Sequence, residues 1–550
     1  MKKTMKKTYT CLLSLVLGAA LLFSLAGCSG STSGSSGTGD SASPGSSPAV
    51  SAPAQQGALT AEGFPLGGKV TLGMTGNPTE FFTPYKQGTL NSYGWTVFEP
   101  LAWDRTDGTF EPCLAESWEV DQDQNTLTVK LREGIHFSNG DPLTADDVVF
   151  TLTCRQEYGT YGLIGSPVSV EKLDEYTVKV TWETFSLNFA GWVLPQYIYS
   201  QKVFEEKGLD WMLTNMVGTG PYVMNEYIPD VRLSVTRNEN YWREEVPGPD
   251  EFEWVCVTDQ TAMLAAFLNK EIDNLNQIQD PAYLAQLESE GYEPVEMPVS
   301  REMQYFAVPI STDPNDPLSD PDVRRAIYLY GIDWDNLALT VSGESSYHTD
   351  SIGKLSMPYY AGSLEASEYD PEKAKKMLEE AGYGEGFTTT IYAIPDMAGQ
   401  ATYMQDALRN LGITAEIVTV DYTLINGEYL TGNAVSNGIV MSVMAYNDYT
   451  TNQDDRFNKF FSPIGALKGI TDFSEEQMVL WENVRNARSL EEQSKALSDF
   501  VNSYVAQSAL VWPVNNISGS SYEQPWYHVE QEAYCASAGR DPRYVWVEAH

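Results

Sequence analysis

Histidine is scarce in this chain. Its 550 residues include four, His136, His348, His528 and His550, together with six cysteines. No HExxH, no Gly-x-Ser-x-Gly and no clustered His/Cys set occurs. The common zinc and serine-nucleophile chemistries therefore have no residues to act with, and no metal or other cofactor is expected. Positive charge is scarce too: Lys and Arg number 34 against 75 Asp and Glu, a net charge of -41. So acidic a surface repels phosphate backbones, which argues against nucleic acid as a partner. Beyond the N-terminal region no run is long and apolar enough to span a bilayer. What the chain does have is apolar and aromatic material, 42% hydrophobic residues with 13 Trp and 32 Tyr. That is enough for large cores and excludes wholesale disorder. At roughly 150 residues per domain, the length fits three or four domains or subdomains.

The N-terminus reads as an export and anchoring signal. Lys2, Lys3, Lys6 and Lys7 precede an apolar stretch from Cys11 to Ala26, short for a spanning helix of about 20 residues. It ends in Leu25-Ala26-Gly27-Cys28, which resembles a bacterial lipobox. The expectation is a signal peptide over residues 1–27 and a diacylglyceryl group on the Cys28 sulfur. Two acyl chains anchor firmly, at about 0.8 kcal/mol per buried CH₂. Ser29 to Gly57 is almost entirely Ser, Gly, Thr, Ala and Pro, so residues 28–63 are expected to be a lipidated cysteine and flexible tether. The folded body would then float at the extracytoplasmic face of the cell membrane. Cys113, Cys154, Cys256 and Cys535 show no CxxC spacing, and the sequence leaves their pairing open.

Along the body, strand-like alternation marks Lys69 to Met74, Leu127 to Leu131, Val178 to Val180, Val231 to Val235 and Ile413 to Val420. Val323, Ala326, Ile327 and Tyr330 share one helical face. Asp370-Pro371 reads as N-cap and first helical residue, with Ala374, Met377, Leu378 and Ala381 as the buried stripe and Gly382 as the stop. Met404, Ala407, Leu408 and Leu411 repeat that design before Gly412, leading directly into a strand. Such helix-to-strand units point to α/β layers. Gly63 to Lys69 fits the first part of a P-loop, but Val70 stands where Ser or Thr is needed and a strand follows in place of a helix. Asp146-Asp147 after Thr144 reads as a helix start and not as a catalytic pair. His136 reads as packed or solvated.

A run of motifs then carries a family resemblance. Phe98-Glu-Pro-Leu101, Leu114-Ala-Glu-Ser-Trp-Glu-Val120, Thr126 to Arg132, Ile135 to Gly140 and Pro142 to Phe150 are followed by Val217-Gly-Thr-Gly-Pro-Tyr222 and Arg237-Asn-Glu-Asn-Tyr-Trp242. Asp322-Val-Arg-Arg-Ala-Ile327, Tyr369 to Ala374 and Glu380-Ala-Gly-Tyr383 complete the series. In this order they resemble family 5 extracellular solute-binding proteins, the peptide/nickel type that serves ABC importers, over roughly residues 66 to 515. The resemblance implies an α/β, two-lobed fold of the type II periplasmic-binding-protein kind. Lobe one would hold residues 64–98, 215–310 and 506–550, with an inserted α/β subdomain at 99–214. Lobe two would span 311–505. It implies a monomer that captures a solute, foremost a peptide, between the lobes without changing it and passes it to ABC permease and ATPase subunits.

The resemblance also points to ligand positions. Peptide-binding relatives carry Trp-x-x-Asp where this chain has Ala445-Tyr446-Asn447-Asp448-Tyr449. Asp448 matches the aspartate that pairs with a peptide α-amine, Ala445 stands in place of the tryptophan, and Tyr446 and Tyr449 flank it. Phe81 and Phe82 follow the first strand, and Tyr158 and Tyr161 follow the Ala145 helix, near positions where relatives project aromatics; core packing is an equal alternative for each. Two arginines of relatives are missing. Pro395-Asp-Met-Ala398 and Leu194-Pro195-Gln196 stand where ligand carboxylates or chelates are held, so a longer peptide or a cationic or neutral solute is expected. Rival readings are an oligosaccharide receptor of an ABC importer, a sensory lipoprotein on the same fold, and a secreted glycan hydrolase using two acids.

Overall fold

The structure is a computed structural model. It describes residues 59–60, 63–74, 81–82, 93–105, 109–158, 167–183, 185, 187, 189–244, 247–278, 280–295, 302–311, 313–342, 346–349, 367–421, 424–429, 437–446, 473–504, 507–518, 520–535 and 540–548. The expected signal peptide, Cys28 and nearly all of the tether lie outside these residues.

The first strand, β1 (Lys69–Met74), opens the folded body where the P-loop near miss would have needed a helix. The chain then enters an inserted segment. Here β2 (Ala102–Asp104) and β3 (Phe110–Pro112) pair, and β4 (Ala115–Asp121) and β5 (Thr126–Leu131) form a hairpin. Helix α1 (Ala145–Tyr158) leads on to β6 (Ser169–Asp174) and β7 (Thr177–Thr181). The last four of these strands make an antiparallel sheet in the order β4-β5-β7-β6. Leu127, Val129, Leu131, Val178 and Val180 are fully buried on its inner face, as their alternation predicts. Asp146 and Asp147 occupy the first turn of α1, where Asp147 accepts from the Thr144 amide at 2.9 Å and from the Gln201 amide at 2.9 Å. The pair is thus a helix start. His136 is exposed, with its ring 3.0 Å from the Gly134 carbonyl.

The chain returns through β8 (Tyr222–Ile228), β9 (Arg232–Arg237), β10 (Glu251–Cys256) and β11 (Asn274–Ile278) to complete a first six-stranded sheet with β1. Strand β12 (Glu302–Ser311) begins a second one. After it come helix α2 (Pro321–Arg325), whose face continues through a wide turn at Ala326–Gly331, and β13 (Ser346–Tyr347). Helix α3 (Pro371–Glu380) starts as expected, with the Asp370 carboxylate accepting from the Lys373 amide, and stops at Gly382, whose φ of +93° suits glycine. Strand β14 (Thr388–Ala393), helix α4 (Ala398–Asn410), β15 (Thr414–Thr419) and β16 (Asn437–Tyr446) follow. Helices α5 (Glu475–Asn486) and α6 (Leu490–Tyr504) form a hairpin before β17 (Trp512–Ser518). The second sheet runs β13-β17-β12-β16-β14-β15, with its own core around Phe306, Ile327, Met404, Val440 and Trp512.

Strand β17 ends at Ser518 and β18 (Ser520–Glu523) begins two residues later at the edge of the first sheet, which runs β18-β11-β1-β10-β9-β8. The chain ends in the hairpin β19 (Tyr527–Val529) and β20 (Val545–Val547). Two passages therefore join the sheets, one from β11 to β12 and one from β17 to β18. The described residues flanking them pair in antiparallel fashion: Val295 bridges Ser521, and Glu302 pairs with Ser518. The sequence predicts these passages at 311 and 506. The sheets change instead between 295 and 302 and between 518 and 520, because β12 and β17 pair with each other inside the second sheet. Helix-start motifs such as Asp320-Pro321 mark where helices begin and carry no information about which sheet a strand joins.

Three of the family-like motifs meet in one buried knot. The Glu99 carboxylate, 1% exposed, accepts from Tyr241 Oη at 2.6 Å and from Trp242 Nε1 at 2.8 Å. Burial pushes this carboxyl up against the opposing pull of Arg243. Gly220 donates to the Val97 carbonyl at 2.9 Å, and a Cβ on Gly218 or Gly220 would sit 2.0 or 2.7 Å from that same oxygen. These residues pin the insertion to the first sheet. Cys113, Cys154, Cys256 and Cys535 are free thiols.

Glu99→Ala strands the two buried donors of Tyr241 and Trp242 and should cost about 2–4 kcal/mol, read as a lower denaturant midpoint; Glu99→Gln, which keeps an acceptor, should lose less. Glu523, in β18, accepts from Asn274 at 3.3 Å, and burial raises its pKa to about 7 against the lowering effect of Arg540. A carboxyl whose folded pKa lies above its unfolded value holds extra protons in the fold between about pH 4.5 and 7. Its contribution is therefore present at low pH and lost as pH rises through that window. The wild type should lose about 1–3 kcal/mol relative to Glu523→Gln between pH 5 and pH 8, followed by thermal midpoints.

Candidate functional site

The polarity of the strands decides where a ligand site can form. In the second sheet, Glu302 at the start of β12 pairs with Tyr446 at the end of β16 and with Ser518 at the end of β17. Strand β14 runs parallel to β16 and β15 parallel to β14. The carboxyl ends of β14, β15 and β16 therefore all point to the side where the chain crosses. The first sheet obeys the same rule. Ile278 at the end of β11 pairs with Ser520, β1 runs parallel to β11, and β10 runs parallel to β1. In open α/β sheets, ligands bind outside the carboxyl ends of strands. Here both sheets direct those ends towards the two passages between them.

Tyr446 is the last residue of β16, and Asp448 and Tyr449 follow two and three positions later. The side chain of Tyr446 and the whole of Asp448 and Tyr449 lie outside the described residues, as does Tyr161. Tyr158 closes helix α1, its side chain likewise not described. What is described is the crossover end of β16, a central strand that stops two residues before Asp448 in sequence.

The turn Pro395–Met397 follows β14 at the same end. It carries no arginine, and Gln400, which follows in α4, is buried. The strand ends also single out Asp421, exposed just beyond β15, which periodicity gave no reason to choose. Its signal is positional: an acid directly after a strand whose carboxyl end faces the crossover.

Of the two readings given for Phe81 and Phe82, the structure shows core packing. They are 0% and 2% exposed. Phe81 packs edge-on against Tyr227 at 4.8 Å and against Tyr93 at 5.9 Å. Phe82 packs against Tyr199 at 5.0 Å and Phe204 at 5.4 Å, in the inserted segment. The physical reason is that the first sheet and the inserted segment share one continuous core, and the two rings sit within it. Trp95, another aromatic in this stretch, lies against Phe252 and Trp254. Among the described residues no group of three or more His, Cys, Asp or Glu could hold a metal ion. No described helix is long and apolar enough to cross a membrane.

Comparison with known proteins agrees with this architecture. The family described as bacterial extracellular solute-binding proteins, family 5 Middle, matches residues 109–467. A di/tripeptide-binding protein of Pseudomonas aeruginosa is 26% identical over 392 residues, covering 64% of this chain and 71% of the relative. The nickel-binding periplasmic protein of Escherichia coli is 28% identical over 337 residues, covering 56% of this chain and 62% of the relative. The crystal structure of the ABC transporter substrate-binding protein CtaP from Listeria monocytogenes superposes with a TM-score of 0.75 at 23% identity, covering 88% of this chain and 99% of that one. The fold is thus that of the two-lobed type II periplasmic binding proteins. With the family matched across more than half its length, the chain belongs to the family 5 extracellular solute-binding proteins.

Proposed function

We propose that this protein captures a peptide between its two sheet bodies and hands it unaltered to an ABC import permease. The observation that carries this reading is the strand polarity: both sheets direct their carboxyl ends to the two passages that join them. A ligand lodged there touches both bodies, and its contacts are completed when they close. Binding energy that differs between open and closed forms shifts the balance between them. The curated relatives are named as binding proteins for peptides and for nickel.

Asp448 is assigned to the ligand's α-amine, with Tyr446, Tyr449, Tyr158 and Tyr161 supplying apolar surface with polar tips. A carboxylate meeting an ammonium in a water-poor cleft gives a charged hydrogen bond that nets about 1.5–3 kcal/mol. Phe81 and Phe82 back the wall from inside the core. The arginine-free turn after β14 suits a peptide whose carboxylate is not clamped there, hence a longer chain or a neutral end. At the N-terminus, Cys28 is assigned the lipid that holds the protein at the outer face of the membrane.

Asp448→Asn should weaken peptides with a free α-amine roughly 10- to 100-fold, a loss of about 1.5–3 kcal/mol, while leaving N-acetylated peptides unchanged by calorimetry. Equal affinity for free-amine peptides in both proteins overturns the assignment. Cys28→Ser should move the protein from the membrane fraction to the soluble fraction of expressing cells. Retention in the membrane fraction overturns the anchor.

A further inference from the structure

One side chain of the second body reaches the inserted segment of the first. Arg488 lies in the short connector between α5 and α6. Its guanidinium stands over the Phe185 ring at 4.7 Å and donates to the Gln122 carbonyl at 3.3 Å. Gln122 belongs to the turn between β4 and β5, and Phe185 to the segment after β7. The contact therefore spans from the helical hairpin of one body to the inserted β-sheet segment of the other.

Both partners are held ready. The Arg488 amide donates to the Glu492 carboxylate at 2.8 Å, and the Glu492 amide donates to Ser489 Oγ at 3.2 Å, so the start of α6 fixes the connector. Across the gap, the Asp121 carboxylate accepts from the amides of Asp123 and Gln124, both at 3.0 Å, and Asn125 adopts a φ of +55°. That tight turn sets the direction of the Gln122 carbonyl. Phe185 rests edge-on against Phe189 at 5.3 Å, which stacks on Trp182 at 3.9 Å. The ring is thus the outer member of a packed aromatic stack and cannot turn aside freely.

We infer that Arg488, Phe185 and the Gln122 carbonyl form a latch that favours the closed form of the protein. The inference rests on the two-body closure proposed above. Closing the bodies makes this contact and opening breaks it, so its free energy acts only on the open–closed balance. A ligand that needs the closed form would then bind in proportion to the closed fraction. Cations on aromatic faces at partly exposed sites are worth little individually, so the expected effect is about two- to fivefold in closed population.

The test uses the mature chain without ligand, carrying Gln124→Cys and Asn486→Cys, both exposed positions beside the contact. A flexible bismaleimide joins the two thiols when the bodies are closed, and the linked peptide pair is counted by mass spectrometry after proteolysis. Adding Arg488→Ala or Phe185→Leu should lower the initial linking rate about two- to fivefold, and Arg488→Lys, which keeps a cation, should fall between. An unchanged rate in Arg488→Ala, or no linked pair in the parent, overturns the latch. Because no ligand is present, a chain that binds no peptide would still show the loss, so failure of the latch and failure of the peptide reading are read separately.

Discussion

Antiparallel pairing at the ends of the two passages between the sheets orients the rest of the architecture. Val295 opposite Ser521 and Glu302 opposite Ser518 carry the chain from one sheet to the other and back. Every strand of the second sheet falls between these crossings, so its polarity is inherited from β12 and β17 through the ladder register. The first sheet inherits its polarity from β18 through β11 in the same way. Backbone hydrogen bonds are not readily given up in a buried sheet. The carboxyl ends of β1, β10 and β11, and of β14, β15 and β16, are consequently fixed on the crossover side. A site at those ends follows from topology before any side chain is considered.

Periodicity made much of this body legible. Leu127, Val129 and Leu131 alternate because one face of the sheet is buried and the other is not. Asp370-Pro371 and Gly382 marked both ends of α3 because a helix start needs an acceptor and its stop often needs a left-handed residue. The ordered motifs gave the family for a related reason. Glu99, Gly218, Gly220, Tyr241 and Trp242 form one buried knot, where a backbone approach too close for a Cβ and two donors on one carboxylate leave little room for change. Such residues report the scaffold and say little about the ligand.

What periodicity could not supply is pairing between distant strands. Nothing local in Glu302–Ser311 tells which sheet it joins, since ten residues of strand look the same in either. The placement of Phe81 and Phe82 was hidden for the same reason. A pair of rings after a strand can face a cleft or a neighbouring core, and only the position of Tyr199, Phe204 and Tyr227 decides it. Asp448 remains known through the end of β16 that carries its loop.

The scarcity of cations acquires a meaning once the arginines are placed. Arg237 donates to the carbonyls of Pro247, Gly248 and Pro249, and Arg324 to those of Leu318, Ser319 and Ser508. Arg105 and Arg543 clamp the buried Asp541; burial raises that carboxyl, yet the two guanidiniums hold it below its usual range. These arginines satisfy backbone oxygens and acids at chain junctions, where a planar group with five donors serves best. They are tied into the scaffold by these bonds. The described turn after β14 offers no guanidinium, and in sequence Asp421 follows β15 and Asp448 follows β16. On the proposed assignment of Asp448, a ligand's ammonium is the end held by charge. That asymmetry favours a guest recognised by its amine and by the bulk of its side chains.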